Sequence, residues 1–336
     1  MKRKILGLLF LLFISSCQKS TSLEPIEATR FLMDTVVRIA VYDFELSSKD
    51  TEKAIDQAFE AMKEVEEKTS AHRPESDVSL MIRSSGGEAI AISEETKTVL
   101  QEAVFVSEAT DGAFDATVGV VKDLWGFYSD APKVPALKDI DAYLPLIDYH
   151  QIELSGEKAR LQKKNAGLDL GGIVKGFNID RAVEVLQSAG VKSAMVDAGG
   201  DLRIIGSHPK NPHWRIGIKH PRPDHQSLYG VIETNPVSVA TSGDYERFFM
   251  HDGKRYHHIL DPKTGMPASG CVSVTIVTEM AMRADAYATA VFVMGPERGM
   301  AFIESHPDLE GLILFEEGHQ LKMVVSEGLR NKVQLL

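Results

Sequence analysis

The sequence predicts a mixed α/β (α+β) fold formed as one unit over residues 30–336, and three observations carry that expectation. Apolar spacing switches repeatedly between the two-residue period of strands and the three-to-four-residue period of helices. The two patterns intermix along the whole chain instead of segregating into halves. No repeat, low-complexity tract or composition shift marks a boundary, and 336 residues with 43% hydrophobic content suffice for a sizeable core.

Taken in order, Lys2, Arg3 and Lys4 precede an apolar run from Ile5 to Ile14 that ends in Ser15, Ser16 and Cys17. The run is too short to span a bilayer, and the small residues before a cysteine resemble a bacterial lipobox. Residues 1–16 are therefore expected to be a signal peptide and Cys17 a lipidated N-terminus. An ordinary signal peptide or a retained anchor fits the same residues. Residues 17–29 are polar and aperiodic and read as a tether. With Cys17 assigned to lipid, Cys271 has no partner for a disulfide and reads as a small packed residue ahead of a strand.

Alternation of Val37, Ile39 and Val41 predicts a strand over 31–41; Ala54, Ala58, Met62 and Val65 predict a helix over 50–68. A second helix is expected over 93–108, capped by Ser93 with Thr96 and ended by Asp111 and Gly112. Three prolines make 131–145 a surface loop. Short strands come next at 152–154 and 168–170, then a helix at about 177–188, and strands at 194–196, 202–205 and 214–218. The balance of 37 Lys and Arg against 48 Asp and Glu, net −11, argues against a nucleic-acid partner. An anionic ligand must then be held locally, by backbone N–H groups, a placed lysine or a metal.

Three segments carry chemistry. From Leu168 to Phe177 an apolar stretch runs through Gly171 and Gly172 into a helix that would aim its N-terminus and Lys175 at a phosphate. A purely structural turn explains the same residues, since the spacing is neither that of a dinucleotide fingerprint nor of a P-loop. In 283–290, Asp285 and Thr289 lie four apart on one helix face and offer oxygen to a hard cation among small alanines. The plain alternative is a helix-start aspartate and a back-bonded hydroxyl. In 256–265 a strand with His257 and His258 ends in a Pro-Lys-Thr-Gly turn; adjacent strand residues face opposite sides, so at most one histidine lines a cleft. The glycine-rich stretches 197–201 and 241–245 read as hairpin turns.

Seven segments in order, 31–35, 112–119 with 124–127, 169–177, 197–201, 240–245, 258–265 and 284–290, together resemble the ApbE family of FAD:protein FMN transferases. The resemblance covers nearly the whole mature chain. It implies a two-lobed fold, related to the T-fold, with FAD in the groove between lobes. It also implies Mg²⁺ at the pyrophosphate and transfer of FMN to a Ser or Thr hydroxyl of an acceptor protein, with release of AMP. By resemblance Met33, His72, Ala113, Phe114, Asp115, Asp169, Lys175, His258 and Ile259 contact FAD, and Asp285, Thr289 and the Gly172 carbonyl hold the metal. His258 and Asp285 are the candidate catalytic groups. The chain departs from the common pattern at Asp34, often glycine, at His72, often tyrosine, and at Gly172, often alanine or threonine.

Together with the lipid anchor read from residues 1–17, the resemblance implies flavinylation on the periplasmic side of a bacterial envelope membrane, inner or outer, of a subunit of an electron-transfer complex. Two other readings use the same residues. Water in place of the hydroxyl makes the protein an FAD pyrophosphatase giving FMN and AMP, and a flavin-binding lipoprotein would need no turnover at all. A structural envelope protein has no reason to converge oxygen ligands and glycine turns.

Overall fold

The computed structural model describes residues 24–43, 45–222, 228–318 and 320–336. The expected signal peptide and the expected lipidation site at Cys17 lie outside them. At its centre is an eight-stranded antiparallel sheet whose strands neighbour one another in chain order. These are β1 (Ile26–Leu32), β2 (Thr35–Val41), β3 (Ala194–Ala198), β4 (Asp201–Ile205), β5 (Ser238–Gly243), β6 (Ser273–Thr278), β7 (Glu310–Glu317) and β8 (Gln320–Val325). Between β2 and β3 the chain builds α1 (Ser48–Thr69), α2 (Asp77–Arg83), α3 (Glu94–Ala109), α4 (Gly119–Trp125), α5 (Leu137–Tyr143) and α6 (Val174–Ser188). Between β6 and β7 it builds α7 (Ala281–Met294) and α8 (Pro296–Glu304).

Alternation along the strands fixes three layers. Val37, Ile39, Val196 and Ala198 face α1 and α6, whose Ala58, Phe59, Met62, Ile179, Val183 and Leu186 close that side. Val274 and Ile276 pack with α7 on the same face. Leu202, Ile204, Val239 and Val277 face the other way, against a three-stranded sheet of Trp214–Lys219, Leu228–Thr234 and Val333–Leu335. β6 is buried on both faces, which explains its unbroken run of buried residues. A smaller lobe forms where α4 and α5 pack with the hairpin Phe248–His251/Lys254–His257 around Val121, Trp125, Ile140 and Leu260. The Trp125 indole N–H donates to the Gly265 carbonyl at 3.0 Å and pins the Asp261–Gly265 turn to that lobe.

Ser93 caps α3 as expected, and Ser47 caps α1, which begins two residues before the expected start. Elsewhere the structure corrects local expectations. The segment 31–41 is a hairpin: Leu32 pairs with Thr35, leaving Met33 (φ 52°) and Asp34 (φ 57°) as a two-residue turn. Such a turn needs positive φ at both positions, and Asp supplies it readily whereas Met gives no signal of it. Because β1 begins at Ile26, the last four residues of the expected tether are strand. No strand forms at 168–170; the Asp169 N–H instead donates to the Ala116 carbonyl at 2.7 Å, and α6 begins at Val174, earlier than periodicity alone indicates. The expected loop 131–145 contains α5, held by the buried Ile140. Thr241, Ser242 and Gly243 belong to β5 and not to a turn, whereas Gly199 and Gly200 do turn β3 into β4. The strand through 256 ends at His257.

Gly176 is where α6 crosses the start of α7. A Cβ there would lie 2.1 Å from the Ala281 carbonyl oxygen, a backbone atom that cannot move aside. Gly176→Ala is expected to cost about 3 kcal/mol, the upper end of what overpacking costs, read as a lower urea midpoint at unchanged m-value.

Candidate active site

The two lobes meet at a groove of about 410 Å³. Its floor is built from α6, α7, β5 and the β3–β4 turn. Lys175, in the first turn of α6, reaches the buried Asp201 at the start of β4 at 2.5 Å. Burial alone would lower the Lys175 ammonium, but the Asp201 and Asp285 carboxylates outweigh it and hold the group above its usual range. Asp285 projects from α7 and accepts the Gly176 N–H at 3.0 Å. Burial first, and then the Asp201 carboxylate, push the Asp285 acid upward from the ordinary carboxyl range against the pull of Lys175. One turn further along α7, the Thr289 hydroxyl lies 3.3 Å from that of Ser242 and beside Gly172, where an added Cβ would stand 3.0 Å from Thr289 Oγ1. Asp180 of α6 sets the angle of α7 by accepting the Ala281 and Met282 N–H groups at 3.0 and 2.9 Å and pairing with Arg203 at 2.6 Å.

Gly172, Asp285 and Thr289 thus line one stretch of the groove, Thr289 beside Gly172 and Asp285 one turn earlier on α7, and between them they offer a carbonyl, a carboxylate and a hydroxyl. Among the described residues no group of three or more His, Cys, Asp or Glu side chains could hold a metal ion. This set fits a different kind of site. All its donors are hard oxygens, few in number, with open groove on one side, which suits Mg²⁺ sharing its shell with substrate and water. The raised Asp285 carboxyl marks a position where a cation would offset unfavourable charge.

A second polar set lines the same groove. Asp169 pairs closely with Lys122 of α4 and accepts the Gly171 N–H at 2.8 Å. Burial would raise the Asp169 acid, but the Lys122 charge outweighs it and holds the carboxylate ionised. The half-buried His258 sits where the chain leaves the Lys254–His257 strand. Its Nδ1 lies 3.2 Å from the Arg247 carbonyl oxygen, which can only accept, so Nδ1 carries the proton and Nε2 keeps its lone pair. Burial, then the charge of Lys122, hold the imidazole down at about 3, so it is neutral at physiological pH. His257 faces away, its Nε2 3.0 Å from the Ala268 carbonyl and its ring edge-on to Phe292.

Ala113, Phe114 and Ile259 give the groove an apolar stretch. Asp115 reaches the same wall, but its carboxylate is engaged by the Thr117 N–H and hydroxyl and the Tyr149 N–H at 2.6 to 3.0 Å. Met33 enters from the β1–β2 turn, with its N–H donating to Glu66 at 3.3 Å. At the rim His72 stands 5.1 Å from the Tyr128 ring, Arg247 lies over that ring at 4.6 Å, and Asp34 reaches Arg247 at 3.6 Å. All twelve residues expected to contact flavin or metal therefore line one groove, although they come from six separate stretches of chain.

Residues 33–313 match the ApbE family. Curated relatives called FAD:protein FMN transferase include one from Vibrio cholerae, 34% identical over 91% of this chain and 92% of its own length. Another, from Treponema pallidum, is 31% identical over 96% and 92%. Among solved structures, the ApbE protein of Thermotoga maritima superposes with a TM-score of 0.84 at 36% identity, covering 92% of this chain and 99% of its own. The flavin transferase ApbE from Vibrio cholerae gives 0.81 at 32% identity with the same coverage.

The chain belongs to the ApbE family.

Against the family pattern, Asp34 keeps the left-handed backbone that a glycine would adopt, and Tyr128 supplies aromatic surface beside His72. Sequence reasoning missed Lys122, Tyr128, Glu66 and Arg247 as parts of this ApbE groove, and saw Asp201 only as a turn residue. Lys122 had one available signal: it falls among Val118, Val121, Leu124 and Trp125, where a lysine is out of place unless it is paired.

Proposed function

We propose that this protein transfers FMN from FAD to a Ser or Thr hydroxyl of an acceptor protein, with Mg²⁺ and with release of AMP. The observation that carries the reading is a single groove lined both by oxygen donors with a lysine, at Gly172, Asp285, Thr289 and Lys175, and by His258, whose Nδ1 is engaged by a backbone carbonyl. Such a groove can hold a dinucleotide diphosphate between charge-neutralising groups and a base.

In this mechanism His258 Nε2 takes the proton of the acceptor hydroxyl as its oxygen attacks the FMN phosphorus. The bond from that phosphorus to the bridging oxygen breaks, and AMP leaves with the oxygen and its charge. Lys175, held ionised by Asp201, faces the developing negative charge. Asp169 and Lys122 fix the wall behind His258 and exclude bulk water. Gly172, Asp285 and Thr289 would hold Mg²⁺, which when bound neutralises diphosphate charge and orients it for in-line displacement.

Incubation with FAD, Mg²⁺ and a threonine-bearing acceptor polypeptide tests this. AMP formed with flavin attached to the acceptor is the expected result. AMP with free FMN across several acceptors would replace the transferase by a pyrophosphatase, and FAD recovered intact would sink both.

The reading extends to a lipid-anchored position through Cys17 on the periplasmic side of a bacterial envelope membrane, with acceptors in flavin-dependent electron-transfer complexes. It rests on residues 1–17 and on the nature of the reaction. No helix among the described residues is long and apolar enough to cross a membrane. Cys17→Ser is expected to abolish incorporation of radiolabelled palmitate in cells and release the protein from the membrane fraction.

A further inference from the structure

We propose that the apolar collar outside the groove, formed by Phe31, Val36, Phe248 and Met250, is the docking surface for the acceptor polypeptide and takes an extended segment with apolar side chains flanking the modified hydroxyl. The proposal rests on the transferase reading and names how its second substrate is held.

The four side chains are 70%, 58%, 41% and 56% exposed, with the Arg255 guanidinium lying over the Phe248 ring at 4.2 Å. Phe31 and Val36 are direct cross-strand partners, so both project from one face of the β1–β2 hairpin. They flank the Met33–Asp34 turn, which itself lines the groove. On the other side Phe248 comes directly after the groove residue Arg247, and Met250, two residues on, shares its strand face. The Asp34–Arg247 pair at 3.6 Å ties the two halves together across the mouth. The collar is therefore continuous with the site and not a scatter of single exposed residues.

Geometry selects a polypeptide as the occupant. A Ser or Thr side chain is short, so for its hydroxyl to reach His258 the acceptor backbone must enter the mouth. At about 3.3 Å per residue, the two or three residues on each side then lie on the rim, roughly 7 to 10 Å out. None of the four collar residues lines the groove itself. Charge argues the same way. Three of the described rim cations, Arg247, Lys219 and Arg255, are paired with Asp34, Glu246 at 3.2 Å and Asp244 at 3.3 Å, and Lys254 lies over the Tyr256 ring, so these residues do not form the cluster of unpaired cations that an anionic lipid surface attracts.

The test compares two synthetic acceptors, a threonine in a twelve-residue segment with leucine and valine on both sides and the same segment with those residues changed to serine. The unaltered protein should show a KM at least tenfold lower for the apolar segment. Phe31→Ser with Val36→Thr, and separately Phe248→Ser with Met250→Ser, should erase that preference while FAD affinity and kcat at saturating acceptor stay within twofold, with urea midpoints matched to the parent protein showing that the fold is kept. Equal KM values in parent and variants overturn the docking surface while leaving the transferase intact. Variants that instead lose self-association in sedimentation, or binding to phosphatidylglycerol vesicles, with acceptor KM unchanged, also overturn it. Absence of attached flavin on any acceptor with the unaltered protein removes the transferase reading, and the docking surface with it.

Discussion

Asp285→Asn is expected to lower the rate of AMP formation about 10³-fold while leaving the protein as stable as before or more so. The carboxylate is the only fully charged donor among Gly172, Thr289 and Asp285, and losing it removes several kcal/mol of charge stabilisation, each ~1.4 kcal/mol being tenfold in rate. Stability moves the other way because this carboxyl is raised by burial and by Asp201, so its ionised form is disfavoured in the fold. An amide of the same shape still accepts the Gly176 N–H and no longer repels Asp201. A kcat that falls together with the urea midpoint would show that Asp285 serves packing and not the reaction. Retained kcat would remove it from the site altogether.

His258→Gln is expected to reduce kcat by about 10² to 10⁴, the range for loss of a positioned general base. The pH dependence separates this from a steric effect. Burial first, and then Lys122, hold the free imidazole at about 3, so the acid limb of kcat/KM, which reports the free enzyme, should lie well below pH 6.5. The limb of kcat should lie at higher pH, because a bound anionic diphosphate favours the imidazolium. For stability the sign runs the same way. An imidazole depressed in the fold binds its proton more readily in the unfolded chain, so stability present above about pH 6.5 is lost as the pH falls toward 3. The glutamine variant lacks that loss and should gain on the parent protein between pH 7 and pH 4 in paired urea melts. Parallel melts across that range would mean that His258 is not held neutral by its surroundings.

Legibility was uneven, and the pattern has physical causes. Helices with a strong apolar face, such as α1 and α3, and the glycine turn between β3 and β4 could be read because their signals are local: side-chain spacing, a serine cap, positive φ. The β1–β2 turn could not, because Met33 adopts a backbone conformation that no local signal announces. Residues 168–170 read as a strand because they are short and apolar, yet α4 and the Ala116 carbonyl take the place of a strand partner. Lys122 and Asp169 lie 47 residues apart and become a pair only when α4 folds over the glycine turn.

By itself, then, the sequence determined the fold class, the ordered motifs of the family and the donor types at Gly172, Lys175, His258, Asp285 and Thr289, since residue identity fixes what each can donate, accept or ionise. Tertiary structure alone decided which of these meet, which face of the His257–His258 pair enters the groove, and how each is charged. Ionisation depends on burial and on charges a few ångströms away, contributed by Asp201 and Lys122 from distant parts of the chain, and no local pattern encodes those distances.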